Sequence, residues 1–344
     1  RMALMAGDMK VANQYKQRAY NYRKSFLNGY AHPRYKDGKW KENFNIYATQ
    51  GQGFVEGNSL NYSFFVPHDV KGMIELMGGN DAFIHRLDTL FGSALDPSYY
   101  ADTEDVTQEG ILGSYVHGNE PSHHVPYLYM WTSQPWKTAE SISRIIDKMY
   151  NTRIDGLCGN DDCGQMSAWY IFTALGFYPV CPGSDEYIFG LPQVQQAELT
   201  LKAGSKLTIN VRNQSKKNKY IQAIYWNGER YNKRFISHHT LIEGGELIYE
   251  MGPNPSATCF DDNSLPYSLS TEDVHRIIPA VLEQHVHGGC LSLKNGYNIL
   301  VESDSLDNEK SWLNKYLKDD FNLVEAPQGV KIHLIRRPTS GQKD

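Results

Sequence analysis

The sequence lacks the features that mark several large classes of protein. No apolar run reaches transmembrane length, and a net charge of −5 provides no basic surface for nucleic acid. Among the five cysteines, Cys158 and Cys163 flank one turn, but no second pair follows with the spacing of a zinc site. We therefore expect a globular protein with no membrane span and no nucleic-acid partner.

Aromatic residues, by contrast, are abundant, with 23 tyrosines and 6 tryptophans. Aromatic faces stack against the apolar faces of pyranose rings, although a large hydrophobic core also takes up such side chains. The composition therefore agrees with a carbohydrate-active protein without requiring one.

The most informative segment is 159–170, where Asp161 and Asp162 occupy a glycine-bounded turn before an apolar helical run. Asn, Asp and Gly tolerate the dihedral angles of tight turns, and a helix N-terminus favours negative charge. Taken alone, this turn is explained as well by helix capping as by catalysis.

Two further clusters precede this turn in the sequence. Residues 115–124 contain three histidines together with Asn119 and Glu120, and residues 54–62 combine Glu56 with amide and aromatic side chains. Such mixtures of polar and aromatic residues line sugar-binding clefts. Each cluster alone has a structural explanation, but three of them in one stretch of chain favour a functional site.

Apolar periodicity predicts helices and long loops up to about residue 190. The predicted helices are 9–26, 70–91 with a break at Gly78-Gly79, 133–150 and 164–175. From about 187 the period becomes two, which predicts antiparallel strands joined by hairpins. His238 and His239 are expected on an edge strand of this β region.

The changes of pattern divide the chain into four predicted segments. These are a helical part (1–186), a small β-sandwich (187–262), a polar linker (263–272) and an α/β domain (273–344). The last is predicted from a strand, strand, helix, strand order, with strands at 297–301 and 330–335 around a helix at 306–317.

The three clusters, with segments 134–138 and 176–180, resemble the core of glycoside hydrolase family 92, the calcium-dependent exo-acting α-mannosidases. The similarity runs from about Gly7 to about Pro253. It implies a mainly α fold with β structure, in which part of an (α/α)6 barrel is followed by a β-sandwich. Because family members are much longer than 344 residues, we expect a missing N-terminal region of the same protein to complete the barrel and the cleft.

Residues after about 270 are similar to another domain. Ile277-Ile278-Pro279 and the late strand resemble the small domain that precedes the barrel of family 20 β-hexosaminidases. The alternative is an appended domain with no function of its own.

Glycoside hydrolysis needs one carboxyl group to protonate the leaving oxygen and another to activate water, and inverting enzymes hold them about 6.5 to 9.5 Å apart. The resemblance implies inversion, with Glu56 as the acid and Asp162 as the base, while Asp161 orients the water or its neighbour. The residues themselves leave open whether Asp161 or Asp162 faces the cleft.

The resemblance also implies a Ca²⁺ site at Asn119 and Glu120, which offer the hard oxygen ligands that calcium takes. The predicted sugar-binding residues are His117, Asn58, Tyr62, His68 and Asp69. For His68 and Asp69, a structural role is an equal alternative.

Two positions bear on specificity. Many family members have Trp where this chain has Leu60, and α-1,2-selective members often have Glu where it has Gly118. The resemblance implies a secreted, periplasmic or cell-surface enzyme that removes terminal α-mannose from oligosaccharides or glycoprotein glycans. Leu60 and Gly118 argue against strict α-1,2 selectivity. The alternatives are a non-catalytic carbohydrate-binding or scaffold fragment, and a lyase or phosphorylase built on a helical barrel.

Overall fold

The computed structural model describes residues 2–49, 51–94, 97–99, 108–201, 204–274, 297–301, 307–319, 324–328 and 330–334. They fall into two compact units, one within 1–276 and the other within 277–344. No helix in these stretches is both long enough and apolar enough to cross a membrane.

The first half of the larger unit is mainly helical, as predicted. Its α-helices are α1 (Met2–Met5), α2 (Met9–Ala19), α3 (Ser59–Tyr62), α4 (Val70–Leu76), α5 (Asn80–Gly92), α6 (Lys137–Met149) and α7 (Gln165–Leu175). The predicted helix at 9–26 continues past Ala19 as a 3-10 helix. The break at Gly78-Gly79 is confirmed, because both glycines have positive φ, 100° and 97°, between α4 and α5.

Short elements fill the long loops between these helices. They are the two-residue strands β1 (Phe26–Leu27), β2 (Tyr30–Ala31), β3 (Ile111–Leu112) and β4 (Tyr115–Val116), and the 3-10 helices Tyr20–Ser25, Pro97–Tyr99, Gln108–Gly110, Glu120–Ser122 and Val125–Trp131. Every residue of the 3-10 helix Val125–Trp131 is buried. The histidine-rich loop before it is therefore anchored in the core.

The second half of the larger unit contains β5 (Phe177–Tyr178), β6 (Glu186–Phe189), β7 (Gln196–Thr200), β8 (Lys206–Arg212), β9 (Tyr220–Trp226), β10 (Glu229–Arg230), β11 (Phe235–Ser237), the helix α8 (His238–Ile242) and β12 (Gly245–Gly252). These strands form two sheets. One has three strands in the order β11-β6-β5, and the other has five in the order β10-β9-β12-β8-β7.

Two predictions about these strands are wrong. β12 lies between β8 and β9, which run in opposite directions, so it pairs antiparallel with β9 and parallel with β8. His238 and His239 lie in α8 rather than on an edge strand, because Ser237 accepts a hydrogen bond from Thr240 N and caps a helix there.

Buried polar contacts join the sheets to the helices. Tyr249 on β12 is fully buried, and its hydroxyl donates to Gly176 O at 3.1 Å, just after α7. The buried Arg234 donates to Met130 O at 2.9 Å and to Thr132 O at 2.6 Å. Both carbonyls lie at the end of the 3-10 helix Val125–Trp131. Residues 187–262 consequently belong to the same compact unit as the helices.

The prediction of a polar linker at 263–272 needs correction. Ser268 and Leu269 are buried, and the helix α9 (Leu269–Val274) packs against α4. Ser268 Oγ, Ser270 N and Ser270 Oγ donate to the buried Asp69 carboxylate at 2.9, 2.8 and 2.8 Å. In the sequence these serines suggest a solvated linker. In the structure they donate hydrogen bonds to a buried carboxylate that lies nearly two hundred residues earlier in the chain.

The described residues of the smaller unit show a strand, a helix and a strand, which are the last three of the four predicted elements. β13 (Tyr297–Val301) pairs in parallel with β14 (Val330–Leu334), with α10 (Asp307–Asp319) between them in sequence. Tyr297, Ile299 and Leu317 form its core. Ile277-Ile278-Pro279 lies outside the described residues, so the similarity to family 20 stays a prediction.

Candidate active site

The 54–62 loop presents Glu56 on the surface. Glu56 has φ +57°, a left-handed conformation that glutamate seldom adopts. Its carbonyl accepts a hydrogen bond from Asn119 Nδ2 at 2.6 Å. Tyr62 stacks on Phe54, with ring centroids 5.5 Å apart, and donates its hydroxyl to Val55 O. These contacts hold the loop backbone while Glu56 stays exposed.

The turn before α7 treats its two carboxylates differently. Asp161 accepts from Ser167 N at 2.9 Å on one oxygen and from Ser167 Oγ at 3.0 Å on the other. Asp162 is exposed with φ +45°, and Cys163 and Gly164 continue the left-handed backbone at +60° and +92°. Asp161 therefore serves the helix start, whereas Asp162 remains accessible.

Left-handed backbone singles out this turn and Glu56. Among the described non-glycine residues, those with positive φ are four asparagines together with Glu56, Asp162 and Cys163. Asn and Asp adopt this conformation with the help of local hydrogen bonds, which Glu and Cys do not make. Such strain costs about 1–3 kcal/mol per residue and clusters at functional sites. The observed backbone thus gives Glu56, and the turn in which Asp162 precedes Cys163, a functional interpretation that is independent of any motif.

Asn119 and Glu120 lie within the histidine-rich loop, and Asn119 contacts the Glu56 loop. Because Asn119 Nδ2 donates to Glu56 O, Oδ1 is the oxygen that remains to ligate a cation. Burial raises the pKa of Tyr178 to about 12, and the nearby Glu120 carboxylate adds to this increase. The donor types fit calcium, which takes six to eight oxygens. Within the described ranges no three His, Cys, Asp or Glu side chains form a metal site by themselves.

Two predicted sugar ligands have structural roles instead. His117 is fully buried, with Nδ1 2.7 Å from Tyr115 Oη and Nε2 2.6 Å from Tyr150 Oη. Asn58 is also fully buried, caps α3 in a capping box with Asn61 and donates to Tyr47 O at 2.9 Å. Both side chains use their polar atoms within the protein, so the structure replaces the expected sugar contact with a packing role.

His68 and Asp69 follow the structural alternative. His68 Nε2 donates to Ala19 O at 2.9 Å. Asp69 is fully buried, caps α4 and accepts from Tyr22 Oη at 2.7 Å in addition to the two serines of the α9 segment. Burial alone would raise the pKa of Asp69, but the hydrogen bonds from Tyr22, Ser270 and Ser268 outweigh it and lower the pKa. The Asp69 carboxylate thus links the start of α4 to Tyr22 and to the α9 segment, and it is not available to a sugar.

His123 connects the histidine-rich loop to the Asp161–Asp162 turn. Its Nε2 donates to His117 O at 2.9 Å, and its Nδ1 lies 3.5 Å from Gln165 Nε2. Trp169 Nε1 donates to His123 O at 2.9 Å, and Asp162 acts electrostatically on the His123 ring. The loops that carry Glu56, Asn119 and Asp162 are therefore joined in one cluster.

The sequence interpretation missed Gln165, Ser167, Trp169 and Tyr150 as parts of this cluster. Gln165 and Trp169 are four residues apart on α7 and hence share one helix face. That spacing, next to the Asp161–Asp162 turn, was the signal available for them. Tyr150 carries no local signal, because only the tertiary structure brings it to His117.

A comparison with protein families adds to this geometry. Residues 1–253 match the glycosyl hydrolase family 92 catalytic domain. The chain belongs to this family. The family 92 resemblance drawn from the three clusters is thereby confirmed.

Solved structures and a curated relative agree with the family assignment. A family 92 α-mannosidase of Bacteroides thetaiotaomicron, in complex with mannoimidazole, is 35% identical with a TM-score of 0.73, covering 77% of this chain and 36% of its own. A family 92 inverting mannosidase of strain VPI-5482 of that species is 34% identical with a TM-score of 0.69, covering 78% and 37%. An uncharacterized secreted glycosidase of Arthroderma benhamiae is 31% identical over 255 residues, 70% of this chain and 30% of the relative. The family 92 chain thus spans about a third of the length of these relatives.

Acid is expected to destabilise the family 92 chain through its buried histidines. Burial lowers the pKa of His124 to about 4, although Nε2 donates to Phe64 O at 2.7 Å, and burial lowers that of His123 to about 4 as well. A histidine in the unfolded chain has a pKa of about 6.5. Between these values the unfolded chain binds more protons, so the free energy of unfolding falls as pH falls, by about 1.4 kcal/mol per pH unit for each histidine.

Urea denaturation at several values between pH 7 and 4.5 measures this dependence. His124→Gln keeps a donor for Phe64 O but cannot be protonated, so its stability should fall less steeply with acid. His239→Gln, at an exposed position in α8, should behave like the unchanged chain. A slope in His124→Gln equal to that of the unchanged chain would contradict the prediction.

Proposed function

We propose that the protein containing this family 92 chain removes terminal α-linked mannose from glycans with inversion of the anomeric carbon. The observation that carries the proposal is that Glu56 and Asp162, both exposed and both in left-handed backbone, lie on loops joined through Asn119 and His123. Family membership and the similarity to α-mannosidases support the reaction class.

Glu56 is proposed as the general acid. Its backbone is held by Asn119 while the side chain stays exposed, which suits a group that must reach the oxygen of a leaving sugar. Burial raises the pKa of the neighbouring Tyr62, and the Glu56 charge adds to the increase, so Tyr62 stays protonated. The stacked Phe54 and Tyr62 rings offer the apolar surface that a pyranose ring contacts.

Asp162 is proposed as the general base that activates water. The contrast within the turn supports Asp162 over Asp161, because both Asp161 oxygens already accept hydrogen bonds from Ser167. Asp161 then fixes the turn on α7 and leaves Asp162 to receive the proton of the attacking water. The fit of Asn119 and Glu120 to calcium supports a Ca²⁺ site there, where the bound ion would ligate mannose hydroxyls.

The specificity and location of the enzyme are also proposals. Leu60 is 2% exposed, so it cannot stack on a sugar as an exposed aromatic ring would. This supports an enzyme without strict α-1,2 selectivity. The curated relative is a secreted glycosidase, which supports a secreted, periplasmic or cell-surface location.

We further propose that the remainder of the family fold completes an (α/α)6 barrel around the cleft, with a β-sandwich packed on it. A groove of about 550 Å³ opens beside the Asp161 turn between α6 and α7, lined by Ile146, Tyr150, Leu157, Ser167, Tyr170 and Ile171. Ile154 and Ile171 are largely exposed there. Exposed apolar surface of this kind marks an interface. The relatives are about three times as long, so their additional residues can cover this surface. The segment alone is therefore expected to be inactive.

Assay of the complete protein tests the proposal. It should release mannose from α-mannobiosides, and proton NMR should first show β-mannose. Exhaustive treatment with EDTA should abolish turnover, and added Ca²⁺ should restore it. Initial α-mannose would contradict inversion, activity that survives EDTA would contradict the calcium site, and release of no mannose would overturn the reaction class.

A further inference from the structure

A chain of hydrogen bonds, buried at Tyr115 and partly buried at Tyr150, joins the histidine-rich loop to the first turn of α7. Tyr115 Oη lies 2.7 Å from His117 Nδ1, His117 Nε2 lies 2.6 Å from Tyr150 Oη, and Tyr150 Oη lies 3.1 Å from Met166 O. Tyr115 and His117 are fully buried, and the Tyr150 ring stacks on Trp169 at 5.7 Å and 9°. Neither tyrosine has a place in the proposed chemistry.

The number of hydrogens determines the direction of this chain. A carbonyl only accepts, so the single Tyr150 hydroxyl hydrogen is donated to Met166 O. Tyr150 Oη must then accept from His117 Nε2–H. His117 is buried and its ring nitrogens meet two hydroxyls rather than a carboxylate, so the ring is neutral. With its hydrogen on Nε2, Nδ1 accepts from Tyr115 O–H.

The chain ends on the peptide that carries the candidate base turn. Met166 N donates to Asp161 O at 3.2 Å, so the backbone of Met166 is bonded to the turn through its N–H and to Tyr150 through its carbonyl. The next residue, Ser167, holds the Asp161 carboxylate. A shift of Met166 is therefore passed to the Asp161–Asp162 turn.

We propose that Tyr150 is a positioning residue for the hydrolysis, which through its bond to Met166 O keeps Asp162 in the orientation needed to activate water. Its catalytic consequence rests on the proposed function. Tyr115 provides a matched comparison, because its hydroxyl is buried and bonds the same imidazole but does not reach α7.

The test compares Tyr150→Phe with Tyr115→Phe in the complete protein. Tyr150→Phe should lower kcat for α-mannosides about 10-fold with KM unchanged, less than the roughly 100-fold that a 1 Å misplacement can cost. Tyr115→Phe should leave kcat within about twofold, since only its link to His117 is lost. Amide hydrogen exchange across residues 161–167 should accelerate in Tyr150→Phe and not in Tyr115→Phe.

Several results would overturn the proposal. These are an equal fall of kcat in both variants, an unchanged kcat in Tyr150→Phe, or unchanged exchange across 161–167. If the unaltered protein does not hydrolyse α-mannosides, the proposed function fails, while the exchange comparison still decides whether Tyr150 holds the turn. Should Tyr150→Phe not fold, ¹⁵N NMR of the unaltered protein decides the point, because an Nδ1–H tautomer of His117 would break the hydrogen-bond chain.

Discussion

Glu56→Gln is expected to lower the hydrolysis of natural α-mannobiosides by roughly 10²- to 10⁴-fold, the range that positioned acid–base groups contribute. Glutamine keeps the size of the side chain but cannot donate the proton that a sugar leaving group requires. Aryl mannosides whose leaving group is an acidic phenol should be affected much less, because such a phenolate departs without protonation. Parallel measurement of kcat/KM for the two substrate classes is the required experiment.

A matched control separates this effect from the loss of a surface charge. Glu229→Gln changes an exposed glutamate on β10 and should leave both substrate classes unaffected. If Glu56→Gln damages both classes equally, Glu56 is not the general acid, even if the protein is an α-mannosidase.

Asp162→Asn should lower turnover of both substrate classes together, by about 10²- to 10⁴-fold or more. Water attack needs a base whatever the leaving group, so an activated substrate cannot compensate for its loss. Asparagine tolerates the left-handed backbone at φ +45° as well as aspartate does. A loss of rate in this variant therefore reports the missing carboxylate and not a change in the turn.

Asp161→Asn is the control for this assignment. The amide oxygen can still accept from Ser167 N, and the Ser167 hydroxyl can accept from the new amide nitrogen. We expect a smaller fall in kcat and some loss of thermal stability. Hydrolysis that persists in Asp162→Asn but is lost in Asp161→Asn would exchange the roles of the two residues.

Local pattern predicted the elements that local chemistry controls. The break between α4 and α5 depends on two glycines with positive φ, and α7 begins where the apolar helical run predicts it. Asp161 and Asp162 were equivalent in sequence and differ in the structure, because the left-handed turn exposes one and Ser167 binds the other.

The sequence by itself determined the family, the change from a mainly helical first half to a second half with strands, and the loops that carry the candidate carboxylates, since these depend on residues close together in the chain. Tertiary structure alone decided which polar residues are buried. His117, Asn58 and Asp69 have the residue types of a sugar site, yet each is fully buried and bonded to distant groups such as Tyr150, Tyr47 and Ser270. A buried polar group must find a partner, and that partner can come from any part of the chain. A local motif therefore identifies the chemistry that a side chain can perform, whereas packing determines whether it meets the substrate or the protein.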